Sequence, residues 1–203
     1  LEEIKRILAP ATGVAYINQS GAWTQVTKPR PSGMDEWTHR DYDESANLVS
    51  KDRLVQPPNC LKWKSGYRNG PDMIKSMRLA GGRVFYEWPH TYRDENRGKH
   101  RTNVLVGRDA FNGALLWDKK MKEHVGKYRA FVVDDERVYI DFNHGHLPNG
   151  DAGIQYGDPI HVRDAATGEF VRMLNPKAKS DYLPMTVDVS MVGDTIIQIC
   201  RDT

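Results

Sequence analysis

The sequence predicts an all-β protein made of repeated four-stranded antiparallel units, and three observations carry that expectation. First, "VGRDAFNGALLW" at 106–117 is echoed by "VRDAATGEFVRML" at 162–174. Asp109 and Asp164 stand 55 residues apart, and Arg83-Val84 recurs as Arg137-Val138 at a spacing of 54, so two independent landmarks agree on one period. Second, Asp109-Ala-Phe-Asn-Gly113 and Asp164-Ala-Ala-Thr-Gly168 have the wording of a hairpin turn built on a type I turn. The Asp carboxylate accepts bonds from the free N–H groups of the turn, and the Gly takes positive φ without steric cost. Third, "NVLVG", "AFVV" and "TIIQI" are apolar at consecutive positions, whereas a strand wetted on one face alternates. Hairpin-joined strands buried on both faces arise when four-stranded sheets stack face to face around an axis. That arrangement is a β-propeller, here a partial one.

Taken in order, "LEEIKRILA" at 1–9 places Leu1, Ile4 and Leu8 on one face of a helix that Pro10 ends. "GVAYI" at 13–17 follows as a short strand, and 18–37, with Pro29 and Pro31, reads as loop. Residues 38–58 are polar and acidic without a period, and "NCLKW" at 59–63 is a strand after the Pro57-Pro58 turn. "AGGRVFYEW" at 80–88 gives a turn and a first strand. "TNVLVGRDA" at 102–110 and "ALLWDKK" at 114–120 give the second and third. "YRAFVVDDERVYIDF" at 128–142 holds a fourth strand, an Asp134-Asp135 turn and the first strand of the next unit. "DPIHVRDA" at 158–165 and "EFVRML" at 169–174 copy the second and third strands, and 186–199 copies the fourth, the turn and a new first.

The predicted organisation is therefore a helix-strand remnant over 1–19, a linker over 20–58 and a partial propeller over 59–203. Its units span about 80–133 and 134–191, with a further one beginning at 192. The period exceeds the roughly 40–45 residues of a WD repeat. The excess sits in 89–101 and 143–157, which read as loops on one rim.

Bulk composition narrows the function classes. The 203 residues carry 29 basic and 27 acidic side chains, a formal net charge of +2. That balance argues against a nucleic-acid binder held by phosphate contacts, which needs a basic face. No apolar run approaches the roughly 20 residues of a membrane helix. Hydrophobic content of 39% and a mean hydropathy of −0.65 point to long solvated loops. Cys60 and Cys200 form neither a dense disulfide framework nor a CxxC pair. The opening without Met and the ending "IIQICRDT" lead us to expect a slice of a longer chain.

The pattern Asp-Ala-x-Thr/Asn-Gly-x-x-x-Trp resembles the repeat of the pyrroloquinoline-quinone-like propellers, which include quinoprotein dehydrogenases and an outer-membrane assembly lipoprotein. Asp109, Ala110, Asn112, Gly113 and Trp117 match it, as do Asp164, Ala165, Thr167 and Gly168, but Arg172 stands at the Trp position of the second copy. Residues 35–63 are similar to the segment that leads into such propellers, in the form of a bacterial subgroup of unassigned function. "LEEIKRILAPATGVAYI" resembles the end of a class I methyltransferase, a domain that precedes some propellers of that subgroup. The resemblance implies a periplasmic or other extracytoplasmic location. In the quinone enzymes it implies a quinone held between a Trp and a disulfide of adjacent cysteines, near calcium. This chain has no adjacent cysteines and no CxxCH haem site. The quinone and calcium are therefore expected, if anywhere, only in the intact protein.

Candidate site residues lie in loops, where function concentrates on rigid scaffolds. Asp141, His144, His146 and Asp151 cluster in "DFNHGHLPNGD" as possible metal ligands. Asp41, Asp43, Ser45, Asn47 and Asp52 fall near calcium-loop positions, with Ala46 where Gly is required and Asp where Glu closes the site. His39 and His90 each follow a Trp by two residues and could stack a sugar or peptide. Trp23, Trp37, Trp63, Trp88 and Trp117 are expected between blades or in the linker. No nucleophile–base constellation has motif support. The expected function is a non-catalytic scaffold binding a protein or small ligand on its rim, first of all at 143–157. The alternatives are part of a quinone-dependent oxidoreductase or of a methyltransferase–propeller fusion.

Overall fold

The structure is a computed structural model and describes residues 1–54, 61, 63–64, 76–93, 99–121, 131–141, 160–174 and 185–201. The chain opens with the helix α1 (Glu2–Ile7). Strands β1 (Val14–Gln19) and β2 (Ala22–Thr27) then pair antiparallel. The loop expected over 18–37 is thus partly a hairpin. Ser20 and Gly21 take φ of 53° and 88°, and the Gly21 N–H donates to Asn18 Oδ1 at 3.0 Å. A Ser-Gly pair is a turn signal in its own right, and it was hidden among polar neighbours.

Two four-stranded meanders follow. The first holds β3 (Met77–Ala80), β4 (Arg83–Arg93), β5 (Lys99–Asp109) and β6 (Leu115–Met121). The second holds β7 (Phe131–Val133), β8 (Arg137–Asp141), β9 (Ile160–Asp164) and β10 (Phe170–Leu174). A two-stranded sheet, β11 (Met185–Val192) with β12 (Thr195–Arg201), comes third. Arg83 faces Asp109 in the first sheet and Arg137 faces Asp164 in the second, so the repeat is one of register as well as wording.

Two expectations are corrected. Phe131–Val133 is the first strand of the second sheet, not the fourth of the first, because it pairs with β8. The Asp134 turn joins strands of one sheet: its Oδ1 accepts the N–H groups of Glu136 and Arg137 at 2.8 and 2.6 Å. A period fixes the length of a repeat but not its starting strand. Part of the loop expected over 89–101 is also strand. β4 and β5 stay in register out to Arg93 opposite Lys99, and the polar residues there concealed a ladder made by backbone groups.

Two of the three consecutively apolar strands are buried on both faces, as their wording requires. "TIIQI" is not: Ile197 of β12 is 44% exposed and Thr195 is exposed, because among the described residues the two-stranded third sheet is covered on one side only. Val104, Leu105 and Val106 are all buried, and so are Phe131, Val132 and Val133. Phe85 and Leu105 pack with Phe131, Val133, Val138 and Ile140 between the first two sheets. Val132 and Ile160 pack with Val189 between the second and third. On the opposite face of the first sheet Val84, Tyr86 and Val106 pack with Leu79 of β3 and against Trp63. The three first strands lie side by side, with β7 touching β3 and β11. Among the described residues the sheets do not form a closed ring.

Candidate functional site

The repeated motif proves to be a docking device. Asp109 Oδ1 accepts the N–H groups of Phe111 and Asn112 at 2.8 and 3.0 Å. Asp164 Oδ1 accepts those of Ala166 and Thr167 at 3.0 and 2.9 Å. Gly113 and Gly168 close the turns at φ of 73° and 70°. Each turn then receives an indole from outside its own sheet. Trp63 Nε1–H donates to the Ala110 carbonyl at 3.1 Å, and Trp117 Nε1–H donates to the Ala165 carbonyl at 3.0 Å. The rings lie over the turn glycines so closely that a Cβ on Gly113 or Gly168 would come within 2.5 or 2.6 Å of them. Both turn carboxylates serve the fold. Burial pushes the Asp164 carboxyl up, but bonds from Thr167 and Ala166 and the nearby Arg137 outweigh it and leave it below its ordinary value.

A second device joins the sheets at their first strands. The Gly81 N–H donates to Glu36 Oε1 at 2.8 Å, and Arg30 pairs with the same carboxylate. Trp37 exchanges two backbone bonds with Leu79 of β3, at 3.0 and 2.7 Å. The Val133 N–H of β7 donates to the Thr38 carbonyl at 3.1 Å. His39 Nε2 lies 2.9 Å from the Met191 N and 3.0 Å from the Met191 O of β11. Four consecutive residues therefore reach all three sheets. His39 is 6% exposed, and it is spent on this contact rather than on stacking a ligand beside Trp37. Sequence reasoning missed the strap, because its partners are 42 to 152 residues away and no local pattern encodes them.

Arg78 of β3 lies beneath the strap at 3% exposure. Its Nε donates to the Phe131 carbonyl at 2.9 Å, and its guanidinium sits 4.7 Å from the Phe131 ring centroid. Burial pushes its pKa down to about 10, so it remains charged at neutral pH. Arg40 bridges Asp188 of β11 and Asp41, both at 3.1 Å.

The calcium-like loop is closed on itself. Asp43 bonds the Ser45 hydroxyl, the Ser45 N–H and Lys51, which pull its carboxyl down to about 2. Asp52 accepts the N–H groups of Asp35 and Leu54, while Asp41 holds Arg40. The carboxylates are directed at separate protein donors, and no metal-binding group of three or more occurs among the described residues. His144, His146 and Asp151 lie outside the described residues. Asp141 ends β8 with its backbone opposite Ile160. Pro89 and His90 belong to β4 by their backbone. Trp23 is 69% exposed on the β1–β2 hairpin, not packed as expected. Cys60 lies outside the described residues, and the sequence lacks the adjacent cysteine pair that the quinone resemblance implies.

Two open grooves flank the strap. One, of about 550 Å³, is largely apolar and runs beside Trp37, Met77, Arg78 and Leu79. The other, of about 810 Å³, lies between the second and third sheets, with Asp134, Asp135, Glu136 and Asp194 set against Arg137 and Arg172. Arg172 thus lines a groove at the position where the motif would place a Trp. No protein-family model and no curated protein matches the chain. No helix among the described residues is long and apolar enough to cross a membrane.

Proposed function

We propose that the chain is part of a non-catalytic β-propeller scaffold that binds a protein or small ligand on its loop rim. The observation that carries this reading is the side-by-side placement of β3, β7 and β11 in three sheets stacked face to face. Sheets stacked with their first strands together extend naturally into a ring. The polar residues of the repeat support a scaffold role, since Asp109, Asp134 and Asp164 are committed to turn N–H groups. Binding is assigned to the rim because 94–98 and 142–159 both join the second strand of a sheet to the third. They occupy one topological position, and the second, 18 residues in length, is the long connection, where loops carry function.

The test uses the full-length protein. Its thermal shift is recorded against a library of peptides and metabolites, and each hit is measured again after deletion of residues 143–157. Loss of binding with retained melting behaviour supports the rim site. Undiminished binding by the deleted form rejects it.

A further inference from the structure

We propose that the apolar groove beside β3 binds a small carboxylate with an apolar body, its head group paired with the guanidinium of Arg78. The groove measures about 550 Å³, a size that suits a small ligand. Trp37, Met77 and Leu79 supply its apolar wall. The Trp37 ring is already fixed: its Nε1–H donates to the Arg40 carbonyl at 3.2 Å, and it meets Tyr42 edge-on at 5.4 Å. None of the described lining residues belongs to the rim loops, so this site goes beyond the rim reading and does not rest on it.

Arg78 decides the chemistry of the ligand. It is 3% exposed and lines the groove. Nε donates to the Phe131 carbonyl and Nη1 to the Met77 carbonyl, both at 2.9 Å. Those acceptors are neutral. Nη2 has no hydrogen-bond partner among the described residues, and it is not sealed from the outside. After burial, the influences felt most at Arg78 come from Asp188, Arg40, Asp41 and Glu87. Asp188 and Asp41 are both held by Arg40, at 3.1 Å each. A buried charge without a hydrogen-bonded counter-ion is costly, and a carboxylate is the partner that arginine binds most strongly. The groove's own acidic side chains are occupied elsewhere. Glu36 takes the Gly81 N–H and Arg30, Asp35 takes the Tyr42 hydroxyl and the Lys51 N–H, and Asp52 takes the N–H groups of Asp35 and Leu54. None of the three is among the charges felt most at Arg78. A carboxylate can therefore meet the guanidinium while its body lies along Trp37 and Leu79.

The probe is 3-phenylpropanoate, titrated calorimetrically into the full chain at neutral pH. 3-Phenylpropanamide and 3-phenylpropylamine carry a neutral and a cationic head on the same body. The carboxylate should saturate with a dissociation constant of about 1 mM or below. The amide should bind on the order of tenfold more weakly, since its bond to Arg78 joins only one charge, and the amine should not bind. In a methyl NMR spectrum the Met77 signal should shift with the same constant, while that of Met173 on β10 stays in place. Arg78→Gln removes the charge. Met77→Glu, at a position 46% exposed, sets a competing carboxylate in the groove and decides the matter should Arg78→Gln fail to fold. Each should weaken binding by about tenfold or more. A carboxylate that does not saturate, an amine that binds as tightly, an unmoved Met77 methyl, or undiminished binding by Met77→Glu or by folded Arg78→Gln would each overturn the site.

Discussion

At the residue scale, the indole of Trp117 carries the junction between the first two sheets. It is buried, tilted against Phe85 at 5.9 Å, and bonded to the Ala165 carbonyl at 3.0 Å. Gly107 and Gly168 leave room for it on either side, since a Cβ on either would press into the ring. Trp117→Ala removes the ring and the bond together and should cost about 3–5 kcal/mol. Trp117→Phe keeps most of the apolar surface but leaves the Ala165 carbonyl without its donor, an expected cost of about 1 kcal/mol from the hydrogen bond alone. Urea denaturation should therefore order the midpoints wild type, Trp117→Phe, Trp117→Ala. A Trp117→Ala midpoint equal to that of the wild type would show that the indole does not hold the sheets together.

At the scale of elements, the strap and the strands differ in how legible they are. The turns at Asp109 and Asp164 were visible because their chemistry is local: an acceptor at one end, a positive φ at the other. The double burial of Val104–Val106 was visible because consecutive apolar residues fit no half-wetted strand. The membership of Phe131–Val133 was not, because a strand between two turns reads alike whichever neighbour it pairs with. The strap was invisible for a stronger reason. Trp37 and Thr38 hold β3 and β7 by main-chain groups, which every residue possesses. Side-chain identity therefore says little about this contact, but backbone chemistry can test it. Trp37→Pro deletes the N–H that donates to the Leu79 carbonyl. It should destabilise by at least about 1 kcal/mol through that bond alone, with the lost indole adding to it. In amide exchange the loss should appear first at Leu79, whose own N–H donates to the Trp37 carbonyl. Unchanged protection there would mean that the strap merely lies against β3.

At the scale of the molecule, the packing is divided into interfaces between neighbouring sheets. Nine buried residues, from Ala80 to Ala165, fill the first interface, and none comes from the third sheet. Val132, Ile160 and Val189 form the second, with Tyr139, Leu174, Met191 and Ile196 around them. Stability in such a stack is close to a sum over units and nearest-neighbour contacts, rather than a property of one indivisible core. Removing residues 185–203 should then act locally. The first interface keeps every member, so amide protection at Leu105 and Val138 should persist. The second is stripped, baring Val132 and Ile160 on a wide sheet face. Exposed apolar surface of that kind recruits other molecules, so the shortened chain should bind a hydrophobic dye and self-associate in sedimentation. Retained protection at Val138 together with new association is the signature of stacked, separable sheets. If protection at Leu105 and Val138 collapses together when the third sheet is removed, the chain folds as one cooperative body. The extension of its sheets into a ring would then lose its physical basis.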